Sequence, residues 1–320
     1  MNKIVLVGAG QIGSRHLQAL ANIKNLCSIT VVDPNPDSLD RARNRLLEVS
    51  NSSSNVFFTS EMPVGESFDL AIIATSADVR LAAFEWLLKQ NNLKNVIFEK
   101  VLFQSAAQIQ QCTELLEMHA IQAWVNCPRR AYPSYKQLKS LIKEDPLVSM
   151  VVTGSNYGLA CNGIHFVDLF VYLSGPKAVV MKQELDHELF ESKRRGCFEV
   201  FGSFNATTTD SILSVSCDNM TQHMSYKIEL ITKHTRYLID ELAQNMRVYN
   251  VDNELLSTTV FTVPPQSQLS HLLASEIILK NQCDLTTYSE SALLHEQYLT
   301  VFFEHFNFLE PDRFDVCPIS

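Results

Sequence analysis

The sequence lacks an excess of basic residues and has no long apolar segment. Its 320 residues include 26 Lys and Arg against 35 Asp and Glu, which gives a formal net charge of −9. Proteins that follow the phosphates of a nucleic acid need a clustered positive surface, which this composition does not favour. No apolar run approaches the ~20 residues that cross a bilayer. We therefore expect neither a nucleic acid nor a membrane as a partner.

The sequence also lacks closely paired cysteines. Its eight cysteines stand singly, at positions 27, 112, 127, 161, 197, 217, 283 and 317. None forms the CxxC spacing that is typical of zinc and redox sites. Scattered single cysteines are typical of thiols in a reducing compartment. The N-terminus reads directly into a strand rather than a signal peptide, so a cytoplasmic location is expected.

Only 10 residues are glycine, yet three of them fall between positions 8 and 13. The apolar run Ile4-Val5-Leu6-Val7 suits a strand buried on both faces, and it leads into Gly8-Ala9-Gly10-Gln11-Ile12-Gly13. Gly8 permits a tight turn, Gly10 lets the backbone approach a pyrophosphate, and Gly13 allows a helix to pack closely on the strand. Free N–H groups at the helix start bind phosphates. The pattern predicts a dinucleotide site, with a purely structural turn as the alternative.

Asp33 closes the second apolar run, residues 28–32. At the end of this strand, its carboxylate is expected to accept hydrogen bonds from an adenosine ribose and to repel a 2′-phosphate. No Lys or Arg follows until Arg41. The sequence therefore favours NAD over NADP as the cofactor. In the alternative interpretation, Asp33 caps the helix that begins within Asp-Pro-Asn-Pro.

Residues 1–125 alternate strand-like runs with helical patterns. Further strands are predicted at residues 56–58, 70–74, 96–98 and 121–125. This alternation predicts an α/β Rossmann domain, a doubly wound parallel sheet with ligand groups at the carboxyl ends of its strands. Thr75 and the pair Glu99-Lys100 follow two such ends.

Residues 126–320 show a different pattern. Helices are predicted from Pro133 and over residues 162–173, and consecutive strand-like runs fill residues 197–263. Strands without intervening helices predict an α+β domain with a largely antiparallel open sheet, for substrate binding and oligomerisation. Neighbouring apolar residues such as Ile212 with Leu213 and Val200 with Phe201 exceed what one buried face requires. We expect a homodimer or homotetramer assembled through this sheet.

Several segments resemble, in order and spacing, the glucose-fructose oxidoreductase, inositol dehydrogenase and rhizopine catabolism family, written Gfo/Idh/MocA. The resemblance covers nearly the whole chain. The segments are Gly8 to His16, Ala74-Thr75, Phe98-Glu99-Lys100, Asn126-Cys127-Pro128-Arg129-Arg130 with Pro133, and Gly163-Ile164-His165-Phe166-Val167-Asp168.

The resemblance implies an NAD(P)-dependent oxidoreductase. Such an enzyme transfers hydride between nicotinamide and a hydroxyl or carbonyl of a sugar, cyclitol or nucleotide-activated sugar. Residues 157–162 also resemble proteins of bacterial surface-sugar synthesis. The implied catalytic residues are Lys100, His165 and Asp168; the cofactor residues are Gly8, Gly10, Gln11, Ile12, Gly13, Asp33, Thr75 and Glu99; the substrate residues are Asn162, Tyr172 and Arg129, and no metal is expected.

Three positions depart from the family pattern. Val101 replaces the proline after Lys100, and a cis bond to a non-proline residue costs about 2.5 to 4 kcal/mol, so we expect a trans Lys100–Val101 bond. Cys161 stands where many members have a catalytic aspartate, so a carboxylate is expected to be missing there. Arg80 stands where members often have histidine.

The chemistry of hydride transfer from an alcohol suits these residues. The hydroxyl must lose its proton, so the site needs a base and a donor to the developing oxyanion. His165 suits the first role, and Lys100 suits either. His165, Asp168 and Tyr172 share one helix face by spacing, although a half-buried His–Asp pair with Tyr172 in the core has the same spacing. Zinc held by Cys161, His165 and Asp168 is disfavoured, because no other Cys or His is near in sequence.

The main alternative is a dinucleotide-binding sensor or regulator with the same fold. Loss of the family aspartate and proline fits relaxed selection for turnover. An enzyme produces NADH when sugar is added, whereas a sensor only changes its affinity. Reduction of an imine or tetrapyrrole is a third interpretation, which His165 and Lys100 favour less.

Overall fold

The computed structural model describes residues 1–23, 27–49, 55–175 and 177–320. These residues form two units. The first unit comprises residues 1–126 and 264–290, and the second comprises residues 127–263 and 291–320. Residues 264–290 belong to the first unit. The sequence pattern predicts that they belong to the second domain, residues 126–320.

The first 126 residues alternate strands with helices. The strands are β1 (Asn2–Val7), β2 (Cys27–Val32), β3 (Asn55–Thr59), β4 (Ser67–Phe68), β5 (Leu70–Ile73), β6 (Asn92–Leu93), β7 (Asn95–Phe98) and β8 (Gln122–Val125). The helices are α1 (Gln11–Leu20), α2 (Pro36–Leu47), α3 (Ala77–Gln90) and α4 (Ala106–Met118).

The rest of the chain is richer in consecutive strands. After a 3-10 turn at Pro128–Ala131 come α5 (Pro133–Leu141), β9 (Leu147–Ser155), α6 (Leu159–Asn162), α7 (Ile164–Ser174), β10 (Val180–Leu185), β11 (Phe190–Glu191) and β12 (Phe198–Glu199). There follow β13 (Gly202–Thr207), β14 (Ile212–Asp218), β15 (Ser225–Thr232), β16 (Thr235–Asp240), β17 (Asn245–Asn250) and β18 (Leu255–Val260). The last elements are a 3-10 turn at Gln266–Gln268, α8 (Ser270–Lys280), β19 (Thr286–Thr287) and α9 (Tyr288–Leu309).

The sheet of the first unit has the strand order β19-β8-β7-β5-β1-β2-β3. Its strands pair in parallel except for β19, which runs antiparallel to β8. Residues Ile4–Val7 of β1 and Leu70–Ile73 of β5 are buried, as apolar strands covered on both faces should be. The predicted Rossmann sheet is confirmed.

Helix α2 shows how local signals fix an element. The side chain of Asn35 accepts a hydrogen bond from the Asp37 N–H at 2.9 Å, and Pro36 occupies the first helical position. The alternative interpretation of Asp33 as the helix cap is therefore wrong, because Asn35 holds that position.

The sheet of the second unit has the order β10-β13-β14-β9-β15-β16-β17-β18. Of its pairings, β14 with β9 is parallel and the rest are antiparallel, which confirms the predicted fold class. The largely apolar helix α7 packs against β9 and β14. Within the described residues, no helix has the length and apolar character needed to cross a membrane.

The apolar pairs that suggested an oligomer surface lie differently from what we expected. Val200 and Phe201 connect β12 to β13 and are both buried, with Phe201 stacked edgewise on Phe190 at 5.0 Å. On β14, Leu213 is fully buried, whereas Ile212 is 51% exposed. The other positions on the same face of β14 as Ile212 are polar, namely Ser214, Ser216 and Asp218. Of these four apolar residues, only Ile212 contributes to an exposed sheet face.

The close packing of α1 on β1 generates a stability prediction. A Cβ at Gly13 would lie 1.9 Å from the carbonyl oxygen of Gly8, whereas a Cβ at Gly10 would meet no atom of the described residues within 4 Å beyond its chain neighbours. Gly13→Ala must displace the helix, so we expect it to lower the free energy of unfolding by about 1–3 kcal/mol. Gly10→Ala is the matched control and should cost less than about 1 kcal/mol. Urea denaturation measures both, and equal losses would contradict this account.

Candidate functional site

The glycine turn between β1 and α1 is shaped by backbone contacts. Gly8 has φ +96°, a conformation that L side chains rarely adopt, and its N–H donates to the Val32 carbonyl at 2.8 Å. A Cβ on Gly8 would lie 2.9 Å from the backbone of Ala74 and Thr75. Gly10 instead borders open space, and among the described residues no side chain caps α1, which begins just after it at Gln11. An uncapped helix start beside open space favours an anion such as a diphosphate.

Asp33 is tied to this turn. Its Oδ2 accepts a hydrogen bond from the Ala9 N–H at 2.7 Å, and its Oδ1 accepts one from the Asn35 N–H at 2.9 Å. The side chain is half-buried. These two bonds hold the carboxylate at the end of β2, beside the glycine turn.

A cavity of about 480 Å³ lies at the carboxyl ends of these strands. Its lining includes Gly8, Gly10, Asp33, Pro34, Met62, Thr75, Ser76, Val79 and Trp86. The Thr75 hydroxyl is buried and has no hydrogen-bond partner among the described residues. An unsatisfied buried hydroxyl costs about 1–3 kcal/mol, which a bound polar ligand recovers. A dinucleotide fits these three features, which are the open space at Gly10, the Asp33 carboxylate and this hydroxyl.

Gln11 and Ile12 form the first turn of α1. The guanidinium of Arg45 donates to the side-chain oxygen of Gln11 at 2.5 Å and to its carbonyl at 2.7 Å. Neither Gln11 nor Ile12 is among the residues that line the cavity. Any contribution they make to cofactor binding runs through the backbone at the helix start, and it stays a prediction.

Glu99 belongs to a buried polar network. Its Oε1 lies 2.8 Å from His16 Nε2 and accepts a hydrogen bond from the Asn126 side chain at 2.5 Å. The other His16 nitrogen lies 2.7 Å from the Ser270 hydroxyl. Burial disfavours the ionised carboxyl, but the bond and charge of His16 and the bond of Asn126 outweigh it and lower the pKa of Glu99. Sequence reasoning assigned no role to Ser270, which lies 254 positions from His16.

The expectation of a trans bond after Lys100 is wrong, because the Lys100–Val101 bond is cis. Contacts from elsewhere in the chain surround it. The guanidinium of Arg80, which is buried, donates to the carbonyl of Val101, to that of Leu102 at 2.7 Å and to that of Thr75 at 2.5 Å. Lys100 itself is half-buried.

The second unit contains a cavity of about 320 Å³ that brings together three residues singled out from sequence. These are His165, Asn162 and Arg129, which line it with Tyr132, Tyr157, Phe166, Tyr226 and Glu241. The rings of Tyr157, Phe166 and Tyr226 pack edgewise on one another with centroids 5.7–5.8 Å apart. The arrangement offers an imidazole, an amide and aromatic faces to a small ligand.

Asp168 and Tyr172 lie on the same helix as His165 but are not among the residues lining that cavity. Asp168 is buried and forms two hydrogen bonds with Arg130, from Nε to Oδ2 at 3.0 Å and from Nη2 to Oδ1 at 2.7 Å. Tyr172 lines a different cavity, where Lys139 Nζ lies 3.8 Å from its ring centroid. The pair with Arg130 anchors α7.

A carboxylate from another part of the chain contacts Cys161, although it is not among the residues that line the cavity with His165. It belongs to Glu199 on β12, which accepts hydrogen bonds from the N–H groups of Ala160 at 2.5 Å and Cys161 at 3.3 Å, and from the Cys161 thiol. Burial raises the pKa of Glu199 despite these bonds. Nothing in sequence indicated this contact, since 38 positions separate the two residues. No cluster of three or more metal-ligating side chains occurs in the described part of the chain.

Comparison with known proteins places these features in context. Residues 2–127 match the Gfo/Idh/MocA model, described as an oxidoreductase family with an NAD-binding Rossmann fold. No curated protein matches the chain in sequence.

Three solved structures share the fold. UDP-N-acetylglucosamine 3-dehydrogenase from Acidithiobacillus ferrooxidans is 12% identical, with a TM-score of 0.71 over 97% of this chain and 99% of that one. A Gfo/Idh/MocA family oxidoreductase from Vibrio cholerae is 18% identical, with a TM-score of 0.70 over 96% and 99%. A super-repressor mutant of Gal80p from Saccharomyces cerevisiae is 14% identical, with a TM-score of 0.70 over 95% and 96%. Residues 2–127 are thus an NAD-binding Rossmann domain of the Gfo/Idh/MocA oxidoreductase family, in a chain that has the fold of a family oxidoreductase throughout.

Proposed function

We propose that the protein is an NAD-dependent oxidoreductase that transfers hydride between nicotinamide and a hydroxyl or carbonyl of a sugar, a cyclitol or a nucleotide-activated sugar. The observation that carries this proposal is the combination of two sites in one chain. The first unit has an open glycine turn and a threonine hydroxyl with no hydrogen-bond partner among the described residues, and the second has a cavity that combines an imidazole with aromatic rings. The likeness in fold to a UDP-N-acetylglucosamine 3-dehydrogenase supports a carbohydrate substrate.

In this proposal the first unit holds NAD through groups of three kinds. The backbone at Gly8 and Gly10 and the start of α1 receive the diphosphate. Asp33 accepts hydrogen bonds from the adenosine ribose, and the Thr75 hydroxyl, which has no partner among the described residues, gains one. When bound, NAD supplies the hydride acceptor or donor.

Protein side chains accept the proton of the substrate hydroxyl and stabilise the negative charge that develops on its oxygen. His165 takes the proton from the substrate hydroxyl, because imidazole is the side chain that exchanges protons most readily near neutral pH. Lys100 donates a hydrogen bond to the substrate oxygen and stabilises its charge. Asn162 hydrogen-bonds a further hydroxyl. Asp168 is a positioning residue, since its pairing with Arg130 fixes the helix that carries His165.

The proposed activity is tested by adding NAD together with myo-inositol, glucose or UDP-N-acetylglucosamine and following NADH absorbance. We expect NADH from at least one of these substrates. His165→Ala should lower kcat about 10²- to 10⁴-fold, the usual cost of removing a general base. Its affinity for NAD should stay unchanged, because the imidazole is not part of the glycine turn.

The matched control is His223→Ala, which removes an exposed histidine of the same unit and should leave kcat unchanged. A His165→Ala protein with normal kcat would refute the role given to His165. If sugars change NAD affinity without producing NADH, the protein acts as a sensor and the proposed activity is wrong.

The second prediction concerns the cofactor. Asp33 is the one charged side chain among the described residues lining the first cavity, so a 2′-phosphate would meet a carboxylate and no base. Calorimetry should give a lower Kd for NAD than for NADP. Asp33→Ala should weaken NAD binding about 10- to 100-fold, because it removes charged hydrogen bonds worth about 1.5–3 kcal/mol. The difference between the Kd values for NAD and NADP should therefore become smaller.

Asp37→Ala removes an exposed carboxylate that is not among the lining residues and serves as the control. Tighter binding of NADP than of NAD by the native protein would overturn the assignment.

We also propose a homodimer or homotetramer assembled through the sheet of the second unit. Ile212 on β14 and Ile231 on β15 are both exposed, and their strands lie on either side of β9 in the eight-stranded sheet. A specific interface buries ~1,200 Å² or more, and a sheet of this size can supply that area. Light scattering at micromolar concentration should give a multiple of 36.1 kDa. Ile212→Lys should dissociate the assembly, whereas Leu47→Lys on α2 of the first unit should not. A monomeric mass for the native protein would contradict this proposal.

A further inference from the structure

Glu241 lies at the centre of a hydrogen-bond network in the cavity that contains His165. Its Oε1 accepts hydrogen bonds from Arg129 Nε at 2.9 Å and from the Tyr135 hydroxyl at 2.5 Å. Its Oε2 accepts them from Arg129 Nη2 at 2.8 Å and from the Tyr226 hydroxyl at 2.6 Å. A carboxylate offers about four acceptor sites, so these four bonds engage it fully. The side chain is 3% exposed.

Both partners of this pair are charged. Burial disfavours the ionised form of Glu241, but the charge and hydrogen bonds of Arg129 and the two tyrosine hydroxyls outweigh it and lower the pKa of the carboxyl. The Arg129 guanidinium also lies over the Phe166 ring, 4.5 Å from its centroid. Because the site is buried, the two charges interact with little screening by water.

This pairing determines the charge that a ligand meets. Arg129 and Glu241 are the two side chains of fixed charge among the described lining residues, beside the imidazole of His165. An anionic group that approached Arg129 would approach the Glu241 carboxylate as well, so attraction and repulsion offset each other. An arginine without this carboxylate would instead be a strong site for carboxylate or phosphate.

We propose that Glu241 is a specificity-determining residue that neutralises Arg129 and thereby restricts this cavity to the uncharged, hydroxyl-bearing part of a ligand. The inference rests on the proposed function, in which this cavity receives the substrate. It goes further by assigning selectivity against anionic groups to one carboxylate. Tyr135 and Tyr226 hold that carboxylate in place.

The test uses three hexoses that differ in charge at C6, which are glucose, glucuronate and 6-amino-6-deoxyglucose. Calorimetry in the presence of NAD should show that the native protein binds glucose more tightly than either charged sugar. Glu241→Gln keeps the size of the side chain and leaves Arg129 uncompensated. We expect it to shift the ratio of glucuronate to glucose affinity at least about tenfold toward glucuronate.

Three further variants guard against a general loss of structure. Arg129→Gln leaves Glu241 uncompensated and should shift selectivity the opposite way, toward 6-amino-6-deoxyglucose. The double variant with Glu241→Gln and Arg129→Gln should return selectivity to glucose. Glu229→Gln is the matched control, because Glu229 pairs with Arg236 at 3.0 Å on the same sheet but is not among the lining residues. It should leave all three affinities unchanged.

The outcomes separate this inference from the proposed function. Opposite shifts in the two single variants support the inference, even if no sugar yields NADH and the proposed activity fails. Unchanged selectivity in folded Glu241→Gln and Arg129→Gln proteins overturns it, even if the native protein produces NADH. If Glu241→Gln does not fold, selectivity of Arg129→Gln decides alone. If none of the three sugars binds to any variant, the inference is also overturned.

Discussion

Compensation of two buried positive charges is the constraint on which the second unit depends. Consecutive residues Arg129 and Arg130 bind Glu241 and Asp168, and all four side chains are at most 13% exposed. A buried guanidinium that lost its carboxylate would cost several kcal/mol. The turn at residues 128–131 must therefore hold the end of β16 on one side and α7 on the other. The cavity with His165 is lined by one of these two pairs, Arg129 with Glu241. The position of that part of the lining therefore depends on the pairing of the two charges.

Sequence reasoning succeeded where the determining contacts are local. The glycine turn and the alternation of strands and helices each depend on residues a few positions apart. The second-unit cavity depends on distant ones, since Arg129 and Glu241 are 112 positions apart. Tyr226 reaches them because β15 pairs with β9 in one particular register, with Tyr226 opposite Gly154. No periodicity in a single sequence specifies that register, so Glu241 and Tyr226 went unrecognised.

The segment after Lys100 shows the same limit in the first unit. The bond between Lys100 and Val101 was expected to follow the preference of its own two residues, yet the surrounding carbonyls are held by Arg80 from α3. The same guanidinium donates to the carbonyl of Thr75, a residue that lines the first cavity. Arg80 thus joins the segment next to a proposed catalytic lysine to the wall of the cofactor cavity. Replacing this arginine would disturb both at once.

The two cavities differ in how they can receive an anionic group. With a net charge of −9, the protein repels anions at long range, but salt screens this repulsion beyond about 8 Å. In the proposed function, a dinucleotide therefore gains its affinity from short-range donors, and the start of α1 and the Thr75 hydroxyl are the groups assigned to this role. The cavity of the second unit is different, because its cation is already paired with Glu241. If the proposed substrate is a nucleotide-activated sugar, the inference places its sugar ring in that cavity, and the partners of its diphosphate are then expected elsewhere on the protein.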